Sequence, residues 1–426
     1  VDRAPELSPL KKRATNARST ALNLIKNSQF RSFLAPLKKR ELRRPARFAA
    51  SARICYTLSA MAFRFPTSAS IDLPNLSEFT SAGSLDPRAV KPEVFYSHCD
   101  SLGMSRDMAR RWAGAVIGRG ERQAAQVMIN AQVAKRFGAL VEYLPTLRLV
   151  NKLSSPTDGF QKLLFETPDG MPVETVIIPL HKAGAVSLCI SSQVGCVMGC
   201  TFCATARMKV RRNLGSWEIL DQVAQARDLV AAEGRRVTGA VFMGMGEPFL
   251  NFDNVLVAAD WMRQPLERAI SGKAITISTV GLVQEIERYT DLDLPFRLSI
   301  SLGAATDEKR LRLVPVAART PVAKVIAAAR RHALKRRDRV NLAYVCISGE
   351  NVGEEDARAL GELIGDTPVR LDLIDVNDTS GRYAPPSADE LQRFRDALAI
   401  HLKQPVARRY SGGADIRASC GALAGA

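Results

Sequence analysis

Residues 187–214 read SLCISSQVGCVMGCTFCATARMKVRRNL. Three of the chain's eight cysteines, Cys196, Cys200 and Cys203, fall here at C-x3-C-x2-C spacing, and Cys189 lies seven residues before the first. Three thiols this close cannot pair among themselves, and eight cysteines in 426 residues make a poor disulfide framework. The pattern suits a metal. Structural zinc takes four ligands, typically as two cysteine pairs or with histidines, and neither a second pair nor a nearby histidine follows. Three thiolates without a fourth fit an iron–sulfur cluster with one iron open to a non-protein ligand.

Outward from this loop the chain alternates strands and helices. Strands are predicted at 186–191, 237–243, 274–279, 296–302, 340–347 and 369–376, with a short last one at 406–410. Helices are predicted at 217–232, 253–263, 283–289, 321–336, 354–364 and 387–401. Ser216 is the expected N-cap of the first, and Ser387-x-x-Glu390 opens the last as a capping box. Six βα units in series predict an α/β fold, a parallel sheet with helical crossovers. Eight would close a TIM barrel; six predict a (β/α)6 partial barrel over residues 161–426. Function in such a fold gathers at the C-terminal strand ends. Those ends are the cysteine loop, Gly244-Met245-Gly246-Glu247, Ser278-Thr279, residues 299–303 and Asn377. The G-x-G lacks a third glycine and a following helix, so it is no dinucleotide loop. It can instead bring carbonyls and a carboxylate to an ammonium group.

Before the barrel, KLLFETP and PVETVIIPL flank Asp169-Gly170 and read as a β-hairpin. Glu174 lies among apolar residues of its second strand, and on sequence alone it is expected to face solvent. Residues 92–98 and 105–137 carry helical apolar spacing and predict a small helical accessory domain over residues 89–160. Its Arg106, Arg110, Arg111, Arg119, Arg122 and Lys135 make either a solvated face or an RNA-grasping one. No internal repeat is evident.

The formal charge is +17 with a pI near 9.8, which makes a polyanionic partner reasonable. Residues 1–66 hold fifteen Lys/Arg against three Asp/Glu, so most of that charge sits there and the remainder is mildly basic. Residues 1–88 therefore read as a disordered basic arm, a transit peptide, or an upstream stretch before a true start near Met61. No run of eighteen apolar residues predicts a membrane span. Thiols that must stay reduced point to a reducing, cytoplasmic setting. His98, His181, His332 and His401 are scattered and read as structural or surface residues. Cys99 and Cys346 read as buried thiols, and Cys55 is assigned no role.

The string CISSQVGCVMGCTFCATA, followed by R-N-L, resembles the radical S-adenosylmethionine (SAM) superfamily. Within it, the string is similar to the RNA adenine methyltransferases of the RlmN/Cfr family. The likeness runs over residues 165–425 and weakly over 90–150. It implies a [4Fe-4S] cluster on Cys196, Cys200 and Cys203, with SAM on the open iron. It further implies SAM contacts at Gly246, Glu247, Ser278, Ser301, Leu302, Gly303 and Asn377. Near the C-terminus, GADIRASCGAL resembles the family's D-I-x-A-x-C-G-x-L element. By that likeness Cys420 carries a methyl group, Cys189 is the resolving cysteine and Glu174 the proton acceptor.

The implied chemistry explains the cysteines. Adenine carbons 2 and 8 lie between two nitrogens and are too electron-poor to attack a sulfonium methyl. The family route uses one SAM to methylate Cys420 and a second to supply a 5′-deoxyadenosyl radical. Cys189 then releases the product from Cys420 through a disulfide-forming attack. The expected reaction is methylation of adenine C2 in 23S ribosomal RNA and also transfer RNA, on a base taken out of its stack. The alternatives are C8 methylation of the resistance type and a radical SAM reaction on a non-RNA substrate. An electron donor such as a flavodoxin system and a monomeric enzyme are also implied. Lys209, Arg211 and Arg212 read equally as phosphate contacts or an exposed basic loop. Two departures stand out. Gly303 replaces the histidine of the family's S-L-H strand end, and Asp378 replaces the proline after Asn377. Catalysis is expected to survive both, with the target nucleotide open to difference.

Overall fold

The computed structural model describes residues 86–121, 144–208 and 211–424. The basic arm lies outside the described residues except for its last three. Ten strands form one sheet in the order β1-β2-β3-β4-β7-β8-β9-β10-β11-β12. The first four are β1 (Arg148–Ser154), β2 (Gln161–Glu166), β3 (Pro172–Pro179) and β4 (Ala185–Cys189), each antiparallel to the next. From β4 onward the neighbours are parallel: β7 (Arg236–Phe242), β8 (Ile275–Thr279), β9 (Arg297–Ser301), β10 (Val340–Cys346), β11 (Val369–Asp375) and β12 (Val406–Arg408). Short strands β5 (Gln193–Val194) and β6 (Arg212–Asn213) pair with each other and close the base of the cysteine loop.

Helices follow the parallel strands as crossovers. They are α3 (Ser216–Ala232), α4 (Phe252–Arg263), α5 (Val283–Asp291), α6 (Asp307–Leu313), α7 (Val322–Arg336), α8 (Glu354–Ile364) and α9 (Ala388–His401). Because α6 and α7 both lie between β9 and β10, these seven helices make the six expected βα units. The parallel strands are covered on both faces: all five residues of β8, Thr276, Ser278 and Thr279 included, are buried. Ser387 caps α9 by accepting from the Glu390 N–H. At α3 the N-cap is Gly215, whose N–H bonds Glu218, while the Ser216 hydroxyl donates to the Arg88 carbonyl. The hydroxyl is taken by a tertiary partner rather than by its own helix.

The helical expectation for 89–160 holds for α1 (Pro92–Ser101) and α2 (Arg106–Ala113), while residues 122–143 lie outside the described residues. Residues 148–154 depart from it and form β1, an exposed edge strand paired with β2. The segment alternates poorly, so pairing with a neighbour decides its conformation. Arg88 locks the N-terminal segment to the barrel. Its guanidinium, 1% exposed, pairs with Asp86 and Asp221, and Phe95 and Tyr96 pack against Trp261 of α4.

Candidate active site

The cysteine loop leaves the C-terminal end of β4 and is tied to the loop after β7. Ser192 and Gln193 donate their N–H groups to the Met245 carbonyl, and the Gln193 side chain accepts from the Glu247 N–H at 2.7 Å. Gly246 has φ +100°, and a Cβ there would stand 2.5 Å from the Gln193 Cβ. Only glycine lets the two loops approach this closely. Glu247, 4% exposed, accepts from Phe249 N at 3.0 Å and Val280 N at 2.8 Å. Burial nonetheless pushes its carboxyl up to about 7.

One cavity, of about 150 Å³, brings the predicted residues together. Cys196, Cys200, Cys203, Gly246, Glu247, Ser278, Ser301, Asn377 and Cys420 all line it. Among the described residues no three His, Cys, Asp or Glu side chains converge on a single ion. Apolar side chains (Met198, Val280, Leu313, Val314) pack around Cys196 and Cys200. Burial pushes the Cys196 thiol up to about 12 and Cys200 well above its ordinary value. The donor set fits a [4Fe-4S] cluster, whose binding must displace the thiol protons.

The C-terminal tail is pinned across this cavity. Ala204 N donates to the Gly421 carbonyl at 2.8 Å and Thr205 Oγ1 to the Leu423 carbonyl at 2.6 Å, on the turn after Cys203. Cys420 N donates to Ser411 Oγ at 2.9 Å, and Asn377 Nδ2 lies 3.5 Å from the Cys420 carbonyl. Cys420 is exposed toward the cavity but walled by protein, and burial raises its thiol. Cys189 ends β4 half-buried. Burial, and then the neighbouring Cys420, push it up to about 12. Arg409, whose Nη1 lies 2.9 Å from Met243 Sδ, opposes both rises.

Glu174 contradicts its solvent-facing expectation: it is fully buried. Strand β3 runs antiparallel to β4, so Glu174 reaches the C-terminal end of the parallel strands, where its carbonyl accepts from Ser191 Oγ. Its carboxylate pairs with Lys162 Nζ at 2.8 Å, both side chains at most 3% exposed, and accepts from Ala424 N at 2.9 Å. The acid thus joins hairpin and tail. Lys162→Met strands a buried carboxylate and is expected to cost about 3–5 kcal/mol. Denaturant unfolding measures this, and Glu174→Gln added to Lys162→Met recovers most of the loss.

Other predicted residues lie elsewhere. Leu302 is buried in the main core and does not line the cavity. Gly303, φ +78°, accepts at its carbonyl from Asn351 Nδ2 at 2.9 Å, also off the cavity wall. Asp378 organises the loop after Asn377, accepting from the Ser380, Arg382 and Tyr383 N–H groups. Arg212 is committed to Asp169 and Glu218, so it is not a free phosphate contact, and Lys209 lies outside the described residues. Arg211 is exposed and bonds the Ala206 carbonyl. Sequence reading missed Lys162, Ser411, Thr205 and Arg409, whose partners lie across strands or at the far end of the chain. A second groove, between α8 and α9, carries Glu354, Glu355, Asp356, Glu390 and Asp396 and shares no residue with the cavity. No helix among the described residues is long and apolar enough to cross a membrane.

Residues 190–360 match the model of the radical SAM superfamily. A Myxococcus xanthus protein described as a probable RNA methyltransferase is 44% identical over 326 residues, 76% of this chain and 89% of that one. The same organism's dual-specificity RNA methyltransferase RlmN 1 is 38% identical, covering 63% and 75%. A crystal structure of a radical SAM methyltransferase from Sphaerobacter thermophilus superposes with a TM-score of 0.73 at 30% identity, covering 80% of this chain and 99% of that one. A superfamily match over the cysteine loop, together with relatives this similar over most of their length, places the chain in the RlmN/Cfr family of radical SAM RNA methyltransferases.

Proposed function

We propose that this enzyme methylates a ring carbon of adenine in RNA, C2 in 23S ribosomal RNA and in transfer RNA, by way of a methyl group carried on Cys420. The observation that carries this reading is the position of Cys420. A thiol six residues from the end of the chain opens into the cavity of the three cluster cysteines, with Cys189 beside it. A radical SAM enzyme that used its cluster only to cleave SAM needs neither thiol.

The cluster and SAM, held by Cys196, Cys200 and Cys203 and by Gly246, Glu247, Ser278, Ser301 and Asn377, supply one-electron reduction and a hydrogen-abstracting radical when bound. An external one-electron donor of the flavodoxin type feeds them. Cys420 presents its methyl carbon to the base, and the tail contacts at Ser411, Ala204 and Thr205 fix where that carbon lies. Glu174, kept in place by Lys162 and Ala424 N, accepts the proton lost from the ring carbon. Cys189 attacks Cys420 Sγ: an S–S bond forms, the Sγ–carbon bond breaks, and the departing carbon takes the electron pair and a proton. The disulfide must be reduced by an outside thiol before the next turnover.

Glu247 is the partner for the SAM ammonium group, and this gives a pH dependence. A carboxyl titrating near 7 is about one-tenth ionised at pH 6 and about nine-tenths at pH 8. Only the carboxylate pairs with the ammonium, so SAM binding tightens about tenfold over that range. Calorimetry on the cluster-loaded protein measures it, and Glu247→Gln is expected to flatten the profile.

Anaerobic turnover with methyl-labelled SAM and total bacterial RNA, followed by nucleoside mass spectrometry, tests the assignment. Label on adenine C2 supports it. Label on C8 moves the enzyme to the resistance-type reaction, and SAM cleavage without labelled RNA sinks the substrate assignment.

A further inference from the structure

Arg310, on α6, is 1% exposed and bonds three backbone carbonyls: Leu302 through Nε at 3.0 Å, Thr320 through Nη1 at 3.3 Å and Val280 through Nη2 at 2.7 Å. All three partners are neutral. Among the described residues no carboxylate forms an ion pair with it. Asp307 on the same helix is engaged by Val322 N at 2.6 Å. Asp307, exposed on the same helix, favours the charged guanidinium without pairing with it, and burial still disfavours the charge; the residues that hold the guanidinium show which side of it faces the protein interior.

Val280 lines the cluster cavity, and its N–H is held by Glu247. The helix that carries Arg310 also receives the cysteine loop, since Thr201 N donates to the Leu313 carbonyl at 3.0 Å. Thr201 follows Cys200 directly, and Cys200 acts electrostatically on Arg310, second to Asp307. The cation therefore stands directly behind the wall where the cysteines would hold the cluster. A [4Fe-4S] core on three thiolates carries net negative charge, and reduction adds another.

We propose that Arg310 is the buried counter-charge of the cluster, a positioning residue that raises its reduction potential and so favours the one-electron reduction that starts each turnover. The inference rests on the cluster at Cys196, Cys200 and Cys203. Arg310 touches neither substrate nor the reacting atoms. Glu247, the other ionisable group at Val280, has the opposite sign, is drawn toward neutrality by burial and pairs with the SAM ammonium in the reading above.

The test compares wild type, R310K and R310Q after anaerobic cluster reconstitution. Iron and sulfide content is measured first, then the midpoint by potentiometric titration with EPR detection. R310Q is expected to lower the ratio of reduced to oxidised cluster at a fixed potential by about tenfold, or about 59 mV for a one-electron couple. R310K keeps the charge and stays within about twofold of wild type. Thermal unfolding gives an independent readout. R310Q should lose more stability in the cluster-loaded protein than in the apoprotein, because the apoprotein is relieved of an uncompensated charge. An unchanged R310Q midpoint, or equal loss with and without cluster, overturns the proposal. Wild type that takes up no iron overturns the cluster reading itself, a result distinguishable from either.

Discussion

Replacing Cys420 with alanine abolishes methyl transfer to RNA, a loss of about 10³-fold or more, while SAM cleavage and cluster content stay near wild type. The separation follows from the geometry. Cys420 shares the cavity with Cys196, Cys200 and Cys203, and among the described residues its side chain makes no hydrogen bond; the tail is fixed by the backbone of Cys420, Gly421, Leu423 and Ala424. Truncation to alanine therefore removes the methyl carrier and leaves its scaffold. Counting 5′-deoxyadenosine and methylated RNA in one anaerobic reaction separates the two activities. Loss of both together would make Cys420 a structural residue of the SAM site.

Replacing Cys189 with alanine has a different consequence. The methyl carrier remains, so the base is still captured, but no thiol is left to attack Cys420 Sγ. Covalent protein–RNA adduct then accumulates and free product falls by about 10²-fold or more. Nuclease digestion followed by intact-protein mass spectrometry reads the adduct directly. Cys189 sits at the end of β4 in register with Val176 of β3 and Val241 of β7, so alanine is accommodated in the strand. Normal product release in this variant would pass the resolving role to another reductant.

Much of this was legible in the sequence, because it is encoded locally. The cysteine spacing, the strand–helix alternation and the Asp169-Gly170 turn are short-range patterns, and each appears where expected. Glu174 was misjudged because its partner is on the other hairpin strand. Lys162 pairs in register with Val176, which places it diagonally from Glu174. The two charges lie on the same face of consecutive strands, and that phase was the available signal. Strand β1 was misread because an edge strand with weak alternation takes its conformation from β2. Leu302 and Gly303 followed from a family likeness at the very position where this chain departs from the family. Here the carbonyls of both residues serve the scaffold, one holding Arg310 and the other Asn351. The placement of Cys420 rests on contacts more than two hundred residues back in the chain, which no local pattern reports.

The central claim is that the methyl group travels through Cys420. A pulse–chase measures this. The protein is loaded with methyl-labelled SAM, freed of excess, and given RNA, reductant and unlabelled SAM for a single turnover. Label disappearing from the Cys420 peptide and appearing on adenine is the predicted result. Methylated adenine that carries only the unlabelled methyl, with label still on the protein, would contradict it.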